Sequence, residues 1–317
     1  MNVTVIDLEL SAASERDAAA LVSVIHAAFG ARPPLNPPST AIDETPETVA
    51  ASLARGGGIL ATVDGRPAGA LLIAPVSPGL ATFQRVSVHP EFQRHGVASA
   101  MVAAAQDYAA ELGFERVELF AREEFADLIA FWQHRGFEVV RQEPHGVILG
   151  RALPVVVRVP TGEAMQELGE QLSGVLAAGD LVIATGDLGA GKTTLTQGIG
   201  RGLGTEDAVI SPTFVISRVH RSSSGRPDLV HVDAYRLSGP DEIDDLDLDA
   251  SIERAVTVVE WGEGMAESLA PSRLEIDIRT GDHRPDPAVH ERTVLLRPVG
   301  ERWRGVDLAA ALRSPRG

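Results

Sequence analysis

Gly186-Asp187-Leu188-Gly189-Ala190-Gly191-Lys192-Thr193 decides the reading of the second half of this chain. The spacing is G-x-x-x-x-G-K-[ST]. Glycines at these intervals let the backbone curl until its amides face phosphate oxygens. Lys192 reaches the β and γ phosphates as a point charge, and the Thr193 hydroxyl is a ligand for Mg2+. The flanks agree with this. Residues 181–185 are an apolar run that reads as a buried strand, and Leu195, Ile199 and Leu203 mark one face of the helix that follows. Such a helix offers its positive dipole end to the phosphates. Residues 186–193, with Thr194, are therefore the candidate ATP-binding segment.

Outward from the loop, residues 229–233 and 255–260 read as further buried strands, each ending in an acid. Asp233 stands where an acid supports Mg2+, or else caps a turn. Glu260 ligates Mg2+ or orients the attacking water, or else is a surface acid. Thr213, in Ser211-Pro212-Thr213-Phe214, lies on a polar turn between the loop helix and the Asp233 strand, where a γ-phosphate sensor belongs. Lys192, Asp233, Glu260 and Thr213 are the candidate catalytic residues, and Thr193, Glu260 and Asp233 the candidate metal ligands. His231 reads as structural. The acidic stretch 241–249 is interrupted by Ile243, Leu246 and Leu248 at helical spacing, so it reads as a solvated helix face. Met165, Leu168, Leu172 and Leu176 line one helix face, with Thr161 as its N-cap. Residues 273–279 and 291–297 read as edge strands, and 306–312 as a short closing helix.

In the first half, residues 58–63, 68–74 and 81–88 read as strands, 98–112 as a helix and 116–120 as another strand. Phe125, Leu128, Ile129 and Trp132 share a helix face that Gly136 terminates, and 137–141 pairs with 146–150. Residues 32–38 are proline-rich and read as a loop between helices. The break near 153–161 divides the chain into two α/β domains, 1–153 and 154–317: a mixed sheet with helices, then a sheet of the P-loop NTPase kind.

The bulk properties narrow the partners. The net charge is −16 and the pI about 5.0, against the basic surface that nucleic-acid binding favours, so RNA would be held by a partner. There is no cysteine, which removes disulfides, thiolate metal sites and cysteine nucleophiles. No apolar run is long enough to cross a bilayer and no secretory signal opens the chain, which together predict a cytoplasmic protein without a membrane partner.

Residues 186–193, then Ser211-Pro-Thr-Phe214, His231-Val-Asp-Ala-Tyr-Arg-Leu237 and Val259-Glu-Trp261 resemble the ordered motifs of the TsaE family over about residues 156–300. These are ATPase subunits of the tRNA threonylcarbamoyladenosine machinery. The resemblance implies ATP and Mg2+ as cofactors, slow hydrolysis by the isolated subunit, and TsaB- and TsaD-like partners that carry out the transfer to tRNA. It places Lys192 on phosphate, Thr193 and Glu260 on Mg2+, Asp233 on metal or water, Thr213 on the γ-phosphate, and Trp261 against the nucleotide or a partner. Met165 stands where the family commonly has threonine. The enzymatic rival is a P-loop small-molecule kinase, which needs an arginine-rich lid that is not evident here.

In the first half, Arg85-Val-Ser-Val-His-Pro90 followed by Gln93-Arg94-His95-Gly96-Val97-Ala98 carries an apolar strand through a basic glycine loop into a helix. First-turn amides of such a helix bind pyrophosphate. The stretch resembles the acetyl-CoA motif of GNAT acetyltransferases, and residues 127–137 resemble their second motif. The resemblance implies that His95, Gly96, Val97 and Ala98 cradle the pyrophosphate of acetyl-CoA through backbone amides, that Arg94 adds charge, and that Val88 and Gln93 complete the site. Trp132 stands where many members have the tyrosine that protonates the departing thiolate. An indole cannot do this, so another group or water serves, or the domain turns over slowly. Glu118, Glu123 and Glu124 are candidate bases that read more readily as surface acids. The rival to an acetyltransferase is a non-catalytic module that binds CoA or a partner.

Overall fold

The computed structural model describes residues 7–212, 215–237, 239–244, 253–281 and 291–313. The chain divides into two compact units, Met1–Pro154 and Val155–Gly317. No helix among the described residues is long and apolar enough to cross a membrane.

In the first unit the chain runs β1 (Leu8–Ala12), α1 (Ala18–Gly30), α2 (Pro46–Gly56), β2 (Gly58–Val63), β3 (Arg66–Ser77), β4 (Leu80–Val88), α3 (Val97–Glu111), β5 (Arg116–Arg122), α4 (Ala126–Gln133), β6 (Glu138–Glu143) and β7 (Gly146–Ala152). The strands form one sheet in the order β1-β2-β3-β4-β5-β7-β6. Neighbours are antiparallel except β4 and β5, which run parallel. Strand alternation sorts the core. Leu60, Ala70 and Leu72 pack with Leu21, Val22, Ile25 and Leu53 of α1 and α2. Gly69, one residue out of phase, faces Met101 and Val97 of α3. The β4–β5 pairing stops after Thr82↔Glu118, so the strands part beyond that point.

The second unit runs β8 (Val155–Val159), α5 (Gly162–Ser173), β9 (Leu181–Gly186), α6 (Lys192–Leu203), β10 (Ser217–His220), β11 (Asp228–Asp233), α7 (Pro240–Asp244), β12 (Ala255–Glu260), β13 (Arg273–Thr280), β14 (Arg292–Val299) and α8 (Leu308–Arg313). The sheet order is β10-β11-β12-β9-β13-β14-β8. Strands β11, β12, β9 and β13 are parallel, and β10, β14 and β8 are antiparallel to their neighbours. The expectation of edge strands at 273–279 and 291–297 is corrected: β13 and β14 are interior, and the edges are β10 and β8. The alternation that suggested an edge arises from faces. Leu274, Ile276 and Ile278 are buried in the core, while Glu275 and Asp277 on the opposite face pair with arginines. Of the acidic stretch, α7 holds residues 240–244, and Ile243 is fully buried. Residues 245–249 lie outside the described residues.

Helix α5 begins where Thr161 accepts a hydrogen bond from the Ala164 amide, at 3.1 Å. Its buried face, Met165, Leu168 and Leu172, meets Leu195, Ile199 and Leu203 of α6. Small residues let the two backbones touch. A Cβ added at Gly198 would lie 2.1 Å from the Gln166 carbonyl oxygen, and one at Gly169 would lie 2.3 Å from that of Leu195. Gly198→Ala is expected to destabilise this unit by about 2 kcal/mol or more through overpacking, seen as a lower urea midpoint and faster amide exchange across residues 162–203. Gly162→Ala, where an added Cβ meets open space, should change stability by no more than about 1 kcal/mol.

Candidate functional site

Parallel pairing sets the candidate nucleotide site. Asp233 pairs with Glu260, and Glu260 with Ala184, so the ends of β11, β12 and β9 lie side by side. Ligands of open α/β sheets collect at such carboxyl ends. The chain leaves β9 through Gly186, whose φ is +142°. A Cβ there would lie 2.4 Å from the Ile278 carbonyl oxygen, so only glycine fits. The loop returns to helix at Gly191, φ +116°, which caps α6 and leaves its first-turn amides facing the loop. Arg292 of β14 steadies the loop by donating from Nε to the Ala190 carbonyl at 2.7 Å.

Lys192 is only 5% exposed. Its Nζ donates to the carbonyls of Gly186 (2.6 Å) and Asp187 (2.9 Å) and lies 3.6 Å from the centroid of the Trp261 ring. Burial pushes its ammonium below the ordinary lysine value, against the opposing pull of Glu260, Asp233 and Asp187. Trp261 holds this position in a left-handed backbone conformation, φ +62°, with its amide on the Ala184 carbonyl at 3.0 Å. Tyr235 lies beside it, ring centroids 5.2 Å apart.

The acids differ in their surroundings. Glu260 is buried, accepting from Thr193 Oγ1 at 3.1 Å and from His231 Nε2 at 2.7 Å. Asp233 is also buried. It accepts from the Tyr235 amide at 3.1 Å, capping a 3-10 turn, and from Ser211 Oγ at 3.3 Å. Thr213 lies outside the described residues. Among the described residues no group of three or more His, Asp or Glu side chains forms a metal cluster. The donor set of Thr193 and Glu260 nonetheless suits Mg2+, which takes one or two protein oxygens and completes its shell with phosphates and water.

The chain pattern did not reveal the role of His231. Its Nε2 holds the Glu260 carboxylate from the neighbouring strand, while its Nδ1 has no partner. The hydrogen therefore resides on Nε2. Arg292 was equally hidden, because a residue 102 positions from Ala190 leaves no local signal.

In the first unit, a cavity of about 1080 Å³ fills the space where β4 and β5 part. Val88, Gln93, Arg94 and Ala98 line one part of it; Phe29, Arg32, Leu35 and Thr40 line another. Gly96, φ +79°, caps α3 and so turns the first amides of that helix outward. Val97 is buried in the core rather than along the wall. His95 lies in the turn before the helix. Trp132 is buried in the cavity wall, packed edge-on to Phe131 and Phe137. The expectation that Glu118 is a surface acid is corrected: it is buried, lines the cavity and pairs with Arg141 at 2.8 Å. Glu123 is exposed. Glu124 is held at 2.6 Å by Arg122, which keeps its carboxyl down at about 2.

Removing the His231 donor should leave part of the buried Glu260 carboxylate without a hydrogen bond. His231→Ala is expected to lower the unfolding free energy by about 1–3 kcal/mol, with His231→Gln losing less because its amide still donates. Urea titration of both variants decides this.

The family described as "Threonylcarbamoyl adenosine biosynthesis protein TsaE" matches residues 159–288, and the "Acetyltransferase (GNAT) family" matches residues 26–137. Over 148 residues the chain is 55% identical to the tRNA threonylcarbamoyladenosine biosynthesis protein TsaE of Streptomyces coelicolor, covering 46% of this chain and 97% of that one. It is 45% identical over 132 residues to the protein of the same name from Mycobacterium tuberculosis, covering 39% of this chain and 79% of that one. The PaiA N-acetyltransferase of Thermoplasma acidophilum, solved with coenzyme A, superposes at 15% identity and TM-score 0.41, covering 46% of this chain and 99% of that one. The chain thus belongs to the TsaE family through its second unit, with a GNAT acetyltransferase match in the first.

Proposed function

We propose that the second unit is a Mg2+-dependent ATP hydrolase serving tRNA threonylcarbamoyladenosine synthesis, and that the first is an acetyl-CoA-dependent N-acetyltransferase. The observation that carries the first part is the convergence of Lys192, Thr193 and Glu260 at adjacent strand ends. Lys192 exchanges its loop carbonyls for phosphate oxygens. Thr193 and Glu260 would hold Mg2+, which would supply charge to offset that of the phosphates. Asp233, fixed by the Tyr235 amide and Ser211, orients the attacking water. Trp261 presses Lys192 toward the loop and limits access of water to it.

Partner docking is supported by the apolar groups around this site. Leu188, in the phosphate loop, is 86% exposed, and Tyr235 is 60% exposed. Such groups, next to a nucleotide, suit an interface that changes with nucleotide state. TsaB- and TsaD-like proteins are the proposed partners, and they hold the tRNA, in keeping with the net charge of −16.

In the first unit, the first-turn amides of α3 and Arg94 would hold the pyrophosphate of acetyl-CoA in the cavity. The amine nitrogen of an acceptor attacks the thioester carbonyl. A C–N bond forms, the C–S bond breaks, the amine gives up a proton and the thiolate gains one. Trp132 supplies neither proton transfer, because an indole N–H is a donor only and is not acidic enough. Glu118, fixed by Arg141, is the buried carboxylate nearest in kind to a base.

A reconstituted tRNA threonylcarbamoylation mixture lacking only its ATPase subunit tests the assignment. Wild-type protein should restore multiple turnover, and Lys192→Ala should not. Failure of wild type with competent partners overturns the pathway role. Glu260→Gln should weaken Mg2+-dependent ATP binding at least about tenfold, consistent with loss of a charged ligand. Chelation of Mg2+ should stop hydrolysis by wild type, and unchanged hydrolysis overturns the metal role.

A further inference from the structure

The cavity of the first unit is lined by five arginines, Arg32, Arg85, Arg94, Arg122 and Arg141, against two carboxylates, Glu118 and Asp127. Three of the arginines are already engaged. Arg85 is held by Glu44 at 2.7 Å, Arg122 by Glu124 at 2.6 Å, and Arg141 by Glu118 at 2.8 Å. Arg94 lies in the loop before α3 that is assigned to acetyl-CoA. Arg32 is different. It follows α1 in the proline-rich connection, and its guanidinium stacks on Phe29, 3.9 Å from the centroid, with the Phe125 ring at 5.6 Å. Among the described residues it has no carboxylate partner. Burial pushes it below the ordinary arginine value, and no neighbouring acid counters this. Asp127 and Glu124 share a smaller hollow with it without forming an ion pair.

A guanidinium stacked on Phe29, lining the cavity and without an ion-pair partner among the described residues, is organised to receive an anion. Its planar donors fit a carboxylate in two-point contact. The cavity wall also carries apolar side chains, Phe29, Leu35, Phe125, Leu128 and Phe131 among them. This combination fits a molecule with one carboxylate and an apolar body.

We propose that Arg32 anchors the carboxylate of the acceptor, and that the amine acetylated by the first unit belongs to an apolar amino acid with its carboxylate free. The proposal rests on the acetyltransferase reading of that unit. Phe29 stacks on the guanidinium and, with Phe125 at 5.6 Å, helps to keep it in place. The pairing of Arg85, Arg122 and Arg141 with their own acids makes Arg32 the selective member of the set.

The full chain has no cysteine, so CoA release can be followed with a thiol reagent without background from the protein. Apolar L-amino acids and their carboxamides form matched acceptor pairs, with spermidine and an N-terminal peptide as further acceptors. Wild type should favour the acids over the amides by at least about tenfold in kcat/KM, the value of a charge-assisted contact. Arg32→Gln should bring that ratio to about one with the KM for acetyl-CoA unchanged. Equal use of acid and amide by wild type overturns the proposal, as does preference for the peptide or the polyamine. A raised KM for acetyl-CoA in Arg32→Gln also overturns it, because the guanidinium then faces a phosphate of the cosubstrate. If no amine is acetylated although acetyl-CoA binds, the acetyltransferase reading fails by itself. Calorimetry with N-acetyl-L-phenylalanine and its amide then decides the site: tighter binding of the acid, lost in Arg32→Gln, upholds it, and equal binding overturns it.

Discussion

The second unit depends on one buried cation. Lys192 lies almost wholly out of water, and a cation in that position needs compensation at every side. Two carbonyls of its own loop lie within hydrogen-bond distance, the Trp261 face covers it, and two strand-end acids supply the field. The sheet order follows from this need. Only strands that run parallel and lie adjacent bring Glu260 and Asp233 to the same end as the loop. The left-handed backbone at Trp261 fits the same constraint, because it turns the indole back over the lysine instead of continuing the strand.

The first unit addresses anions by a different means. Where β4 and β5 part, a sheet that is otherwise continuous gives up backbone pairing and gains a cavity. Unpaired backbone groups there need partners, and the arginines and helix amides around the cavity are in keeping with the anionic ligands proposed for it. Three of these arginines are held by acids that keep their geometry fixed, one of which, Glu118, itself lines the cavity.

Much of this was legible in the sequence for a physical reason. Residues 186–193 specify a loop by local backbone requirements, so short spacing was enough to find it. The strands ending in Asp233 and Glu260 were legible because both are fully buried apolar runs that stop at an acid. Other features depend on contacts that short-range patterns do not encode. The hydrogen bond of His231 to Glu260 joins neighbouring strands, and Arg292 reaches the loop from far along the chain. The interior position of β13 and β14 was hidden because alternation reports which face is wet, not how many neighbours a strand has. Glu118 read as a surface acid because burial of a carboxylate requires a partner, and its partner Arg141 comes from another strand.

The acidity of the whole chain sharpens the role of its cationic groups. With a net charge of −16, the average surface repels phosphates and carboxylates alike. An anionic ligand therefore gains from reaching a site where positive charge is concentrated and water is scarce, since low-dielectric walls focus the field. Lys192 is buried in this way, and Arg32 is half-buried in the cavity wall. Lys192 is covered by an indole and Arg32 stacks on a phenyl ring, so in each case an aromatic face helps to fix the cation. The difference lies in what compensates the charge without ligand. Lys192 has carbonyls and acids close by and must exchange some of them on binding, which makes it a group suited to turnover. Arg32 has no ion-pair partner among the described residues to displace, in keeping with the acceptor contact proposed for it.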